Sequence, residues 1–182
     1  FVNVDYNSES FSIKTNGNII LPNGTINHLI INSGETTFNS ENAAELIISK
    51  LELKNGTTFD INSDINIKES WNDEGGNFNH NNKTVDFSSA TGDENGIITI
   101  NGATSFYDLK ATGLGGKTLS FGNSCNITVT HEMTLSGTDV ENPLTVTGAE
   151  NGTITLPGRQ DFGNYLNVET TVPNIIDSST SG

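Results

Sequence analysis

Cysteine is nearly absent from this chain: Cys125 stands alone, so no internal disulfide exists and no cysteine-rich metal framework can form. Cations are scarce as well, with Lys plus Arg numbering 8 against 22 Asp plus Glu, and Arg159 is the only arginine. The net charge of −14 and the sequence pI near 4.3 leave none of the basic clusters on which nucleic-acid and anionic-lipid binding depend. We therefore expect no nucleic-acid partner and no membrane insertion. No long apolar span and no basic-then-apolar leader pattern occur, so the chain as given is expected to be soluble. Helical periodicity is missing too; Asn42–Leu46 is the only stretch that would suit a helical turn.

Apolar residues are few, at 32%, and with this net charge such a composition fits a disordered chain. Their arrangement argues otherwise. They fall in short runs such as Leu29-Ile30-Ile31, Leu46-Ile47-Ile48 and Leu119-Ser120-Phe121, each bounded by Gly, Asn or Ser. That is the strand-and-turn pattern of an all-β protein. The runs also repeat. Leu29 to Phe38 resembles Leu51 to Phe59, with Gly34 and Gly56 at matching places, and a looser copy runs from Leu109 to Phe121. Asp60–Ile67 resembles Asn123–Val129. Units of about 20–25 residues built from short strands, with Gly and Asn between them, are coils of a β-solenoid, since one such unit cannot bury its apolar face alone.

The expected fold is all-β, a right-handed parallel β-helix forming one segment over residues 1–182. Residues 1–70 form a first set of coils, 71–137 a second, 138–172 final partial coils, and 173–182 a polar tail. Gly34 and Gly56 should occupy equivalent corners, with Phe38 stacked on Phe59. Strict alternation from Cys125 to Leu135 puts Cys125, Ile127, Val129, Met133 and Leu135 in the core, and His131 with them unless a corner intervenes near Thr130. Phe1–Tyr6 alternates apolar and polar residues and could cap the first coil or extend a neighbour's last one.

The order Trp71, Gly75-Gly76-Asn77-Phe78, Thr84-Val85-Asp86-Phe87, Ile98-Thr99-Ile100-Asn101-Gly102, Phe106-Tyr107-Asp108-Leu109 and Met133-Thr134-Leu135 resembles repeats of large β-helical bacterial surface proteins, the autotransporter-passenger-like and haemagglutinin-like adhesins. The resemblance covers about a third of the chain well. It implies export, surface display and a structural or adhesive role, and it carries no catalytic residues. An extracellular or cell-surface location follows from it, with a glycan or protein surface as partner.

Candidate chemistry is sparse. Trp71, Tyr107 and Tyr165 are the aromatics that would stack on sugar rings. Asp93, Asn95 and Asp73 lie in acidic turns whose oxygens suit calcium, the one ion expected if any is bound; no other cofactor is. His28, His80 and His131 lack zinc-type spacing. Asn23, Asn55, Asn82, Asn126 and Asn151 open Asn-X-Thr sequons and are candidate glycosylation sites. An enzyme would need facing carboxylates, as from Asp60 with Asp64 or Asp73 with Glu74 and Asp86, or cations to neutralise uronic acids. Spacing favours neither, so we expect no enzyme, with a polysaccharide-binding or polysaccharide-degrading protein as the alternative. Thr128/Thr130, Thr145/Thr147 and Thr153/Thr155 suggest an ice-binding solenoid as a third reading, but their unequal intervals argue against stacking in register. In isolation a monomer is expected, with head-to-tail association as the minority state.

Overall fold

The computed structural model describes residues 11–21, 24–38, 46–122, 125–148, 152–156, 158–169 and 174–177. These contain sixteen strands and no helix. The first eight are β1 (Phe11–Leu21), β2 (Gly24–Phe38), β3 (Leu46–Leu53), β4 (Thr58–Ile61), β5 (Ile65–Asp73), β6 (Asn77–Asn79), β7 (Thr84–Asp86) and β8 (Ile97–Asn101). The rest are β9 (Ala103–Ala111), β10 (Thr118–Phe121), β11 (Asn126–Leu135), β12 (Leu144–Gly148), β13 (Thr153–Leu156), β14 (Arg159–Phe162), β15 (Leu166–Val168) and β16 (Asn174–Asp177). Each pairs in parallel with the strand one coil before or after it, and the stack is a β-solenoid of about 6 turns. Asn174–Asp177, which the sequence reading leaves in the tail, pairs with β13 and sets Ile175 opposite Ile154.

Each coil passes through three walls. The first wall stacks the starts of β3 and β5, then β7, the later parts of β9 and β11, and β14. The second stacks the ends of β3 and β5, then β8, β10, β12 and β15. The third includes the end of β2, then β4 and β6, and further along the starts of β9 and β11, then β13 and β16. Long strands such as β9 and β11 run over a corner, where two successive residues face outward and the register slips.

Side chains pointing inward form columns along the axis. One column is Leu46, Ile65, Val85, Leu109 and Met133; another is Leu29, Leu51, Trp71, Ile100 and Phe121. All of these are buried, and the cluster is continuous from Leu21 to Leu156. At roughly 1.5–3 kcal/mol for each large apolar side chain removed from water, this one core explains how a weakly hydrophobic chain folds. The Trp71 ring meets Phe78 and Phe106 edge-on, with centroids 4.7 and 5.0 Å away.

Gly34 and Gly56 do occupy matching left-handed corners, with φ of 77° and 76°. The register does not set Phe38 opposite Phe59. Ile31 pairs with Leu53, but beyond the corner Glu35 pairs with Thr58, so the second coil holds one extra residue. Phe38 thus lies opposite Ile61, and Phe59 opposite Thr36; among the described side chains the Phe59 ring has Phe78 as a neighbour, at 6.0 Å. Thr57 fits the extra position because its hydroxyl donates to the Lys54 carbonyl at 2.7 Å while the side chain is buried.

His131 likewise departs from strict alternation. Thr130 and His131 are both exposed at a corner between Val129 and Glu132, and the phase of the strand resets there. Cys125 is fully buried, as the alternation requires. Phe1–Tyr6 and most of Asn42–Leu46 lie outside the described residues; Leu46 opens β3.

Candidate interaction surfaces

Along the inward columns, among the described residues, one carboxylate stands where its neighbours are aliphatic. Ile31 and Leu53 are followed, one coil on, by Asp73, which is 5% exposed. A carboxylate there must be fully hydrogen-bonded. Asp73 Oδ1 accepts from the N–H groups of Gly75 and Gly76 at 2.9 and 2.8 Å, and Oδ2 from the Thr104 hydroxyl at 2.8 Å. Trp71 Nε1–H in turn donates to Thr104 Oγ1 at 3.1 Å. The backbone packs closely around this corner: a Cβ on Gly102, whose φ is 91°, would sit 1.9 Å from the Asp73 carbonyl oxygen. Asp73 and Trp71 are therefore structural, and neither presents a free group to solvent. Trp71, at 0% exposure, has no ring face to offer a sugar.

Tyr107 is half-buried in a ladder that the sequence spacing conceals. His131 stacks on it at 4.5 Å and 5°, and His80 lies on it at 5.7 Å and 36°. His131 thus covers one face of Tyr107, while His80 is tilted against the ring. Asp108 Oδ1 lies 2.7 Å from His131 Nδ1 and fixes that imidazole. Burial holds the His80 imidazole below its ordinary range, against the opposing charge of Asp108. Tyr165 keeps a substantially exposed ring, at 45%.

The three calcium candidates are not brought together. Asp93 and Asn95 sit in the loop between β7 and β8, at the corner joining the first and second walls, whereas Asp73 closes the corner joining the second and third. Asp93 Oδ1 accepts from the N–H groups of Ile97 and Asn95, which hold its carboxyl below the usual range. Among the described residues no three His, Cys, Asp or Glu side chains gather into a metal-ligating group. The carboxylates weighed for hydrolysis are engaged as well. Asp60 accepts from Asn79, Asp64 from the Thr84 N–H, and Asp86 from the Ser88 N–H while pairing with Lys110. Arg159 pairs with Glu132 and Asp161 at 3.5 and 3.6 Å.

Of the sequon asparagines, Asn55 and Asn82 are exposed in turns, Asn82 with a φ of 57°. Asn126 is exposed on β11, where its Oδ1 accepts from the Thr153 hydroxyl at 2.7 Å. Asn23 and Asn151 lie outside the described residues.

Two larger features stand out. Coil length runs from 17 residues, between Asn18 and Glu35, to 29, between Ser70 and Thr99. In the later coils the length variation is taken up largely by loops at the corner between the first and second walls: Phe87–Gly96, Thr112–Lys117 and Ser136–Pro143. These loops stack, with Thr118 N–H donating to the Gly96 carbonyl and Gly116 N–H to that of Pro143. They form a ridge carrying Asp93, Glu94, Asp139, Glu141 and the 79% exposed Val140. At the far end of the stack, Phe162 and Val168 are 44% and 53% exposed beside an apolar cavity of ≈ 50 Å³. No protein family, curated protein sequence or solved structure matches this chain.

Proposed function

We propose that the chain is a structural and adhesive segment of a secreted or cell-surface protein, a β-helical stalk whose outer walls and loop ridge meet glycan or protein surfaces. The observation that carries this reading is the confinement of coil-length variation to corners, above all to one corner over an unbroken core. Solenoids place per-repeat insertions on the face that contacts partners, because loops there vary without disturbing the stack. The fold itself fits a structural or binding role. The adhesin-like repeat pattern supports display outside the cell.

Immunolabelling of intact source cells and of their culture medium tests the assignment. Signal on unbroken cells or in the medium is expected; signal only after lysis overturns surface display. In a parallel incubation with acidic and neutral polysaccharides, retention without release of reducing ends is expected. Release of reducing ends, lost when the chain is denatured, would transfer the protein to the polysaccharide-degrading class.

A further inference from the structure

The second wall carries an ordered grid that unequal sequence spacing hides. Ile97 pairs with Thr118 and Thr118 with Thr145; Thr99 pairs with Ser120 and Ser120 with Thr147. The two intervals differ by six residues, yet the rungs align because the corners absorb the difference: two residues between Phe121 and Asn126, one at Thr130 and three in the Ser136–Pro143 loop. Beneath the grid Ile98, Leu119 and Val146 are buried, which fixes the other six side chains on the outer surface. Of the Thr-X-Thr units seen in the sequence only Thr145/Thr147 lies on this wall; Thr128 and Thr153/Thr155 lie on the third, where Thr155 faces Thr128 and Thr153 faces Asn126, so the array is built from other residues than those three pairs.

The grid has a distinct chemistry. All six side chains are short, half-buried and uncharged in a chain of net charge −14. Neighbours are about 4.8 Å apart between coils and about 6.6 Å apart along a strand. Among the described residues, the hydroxyls of Thr99, Thr118, Ser120, Thr145 and Thr147 make no hydrogen bond inside the protein. The third wall differs, since Thr153 there spends its hydroxyl on Asn126. The first wall differs more, carrying Asp86, Asp108, Lys110, Glu132 and Arg159. Threonine is stiff at χ1, so each position of the grid holds a methyl and a hydroxyl in a narrow range of orientation.

A partner for such a surface must be flat, uncharged and periodic, with oxygens that both donate and accept. Ions would disfavour it by holding water in their own hydration shells. Carboxylates, amides and open aromatic rings, the usual means of gripping sugar hydroxyl pairs, are missing from the grid. We propose that this wall binds the surface of ice, through water ordered over the Thr and Ser hydroxyls and the intervening methyl groups. This activity is separate from the stalk role.

The test grows a polycrystalline ice ball in a dilute solution of the fluorescently labelled full chain and measures incorporation. Thermal hysteresis and recrystallisation are read on the same samples. The wild-type chain should enter the ice and slow recrystallisation. Thr145→Lys and Ser120→Lys should both lose these effects while far-UV circular dichroism and protection of Cys125 stay native. Thr134→Lys, an outward substitution on the charged wall, should keep them. Exclusion of the wild-type chain from ice overturns the proposal, as does equal behaviour of Thr134→Lys and Thr145→Lys. Retention on crystalline cellulose or chitin without any ice effect also overturns it, and assigns the grid to a polysaccharide. None of these outcomes bears on surface display, so the two readings fail separately.

Discussion

Replacing Asp73 tests whether a buried carboxylate, rather than apolar contact alone, closes the corner after β5. Asp73→Ala removes the acceptor of three hydrogen bonds, from Gly75, Gly76 and Thr104. Bonds to a charged group contribute about 1.5–3 kcal/mol each, but the two glycine N–H groups lie in a partly exposed turn where water can replace the acceptor. The buried Thr104 bond is then the main loss, and the total should be about 3 kcal/mol. Thr104→Val leaves Asp73 Oδ2 and Trp71 Nε1–H unpaired, and at about 1–3 kcal/mol for each buried group its cost is similar. The double variant should fall short of additivity by about 1–2 kcal/mol, because both single changes break the same bond. Trp71 is the only tryptophan and is fully buried inside this network, so urea unfolding followed by its fluorescence reports directly on the corner. A cost below about 1 kcal/mol for Asp73→Ala, or strict additivity, would refute the argument.

Among the described residues the buried Thr36 Oγ1 has no hydrogen-bond partner, so Thr36→Val should raise stability by about 1 kcal/mol in the same urea titration. Burial pushes the Cys125 thiol up to about 12; a thiol reagent should leave the native chain unlabelled and react promptly once it is unfolded. On acidification, His80 has its imidazole held below the ordinary range, so its contribution is present above about pH 6.5 and lost as pH falls through the lowered value. Glu52, held low chiefly by its hydrogen bond from Lys54, follows below pH 4.5 by the same sign; His80→Gln should remove the first decline in urea midpoint and Glu52→Gln should reduce the second. Light scattering over a concentration series should show a monomer, with any growth prevented by Phe162→Asp at the exposed apolar end.

The solenoid was legible in the sequence because its signals are local: Gly at left-handed corners, short apolar runs and the alternation from Cys125 to Val129. Register was not, because it depends on how many residues each corner absorbs. One extra residue at Thr57 moves Phe59 from Phe38 to Thr36, and the corner at Thr130 turns His131 outward. Asp73 was misplaced for another reason. A binary pattern treats every carboxylate as solvent-facing, and only the later arrival of Thr104 and the turn at Gly75–Gly76 makes its burial tolerable. The ladder of His80, Tyr107 and His131 and the hydroxyl grid share this blindness. Their members lie at unequal distances along the chain and become neighbours only once loops of different length have been set aside.

The strand hydrogen bonds of this molecule run along the solenoid axis, and that direction decides how it would bear a pulling force. Tension applied end to end loads those bonds lengthwise, rung by rung, so the stack should open by peeling single coils rather than by shearing whole sheets. Each released coil adds its own contour length, roughly 60 Å for the 17-residue coil and roughly 100 Å for the 29-residue one. Unequal coils would then extend in unequal steps, and a stretched chain would write the order of its corners into its force trace.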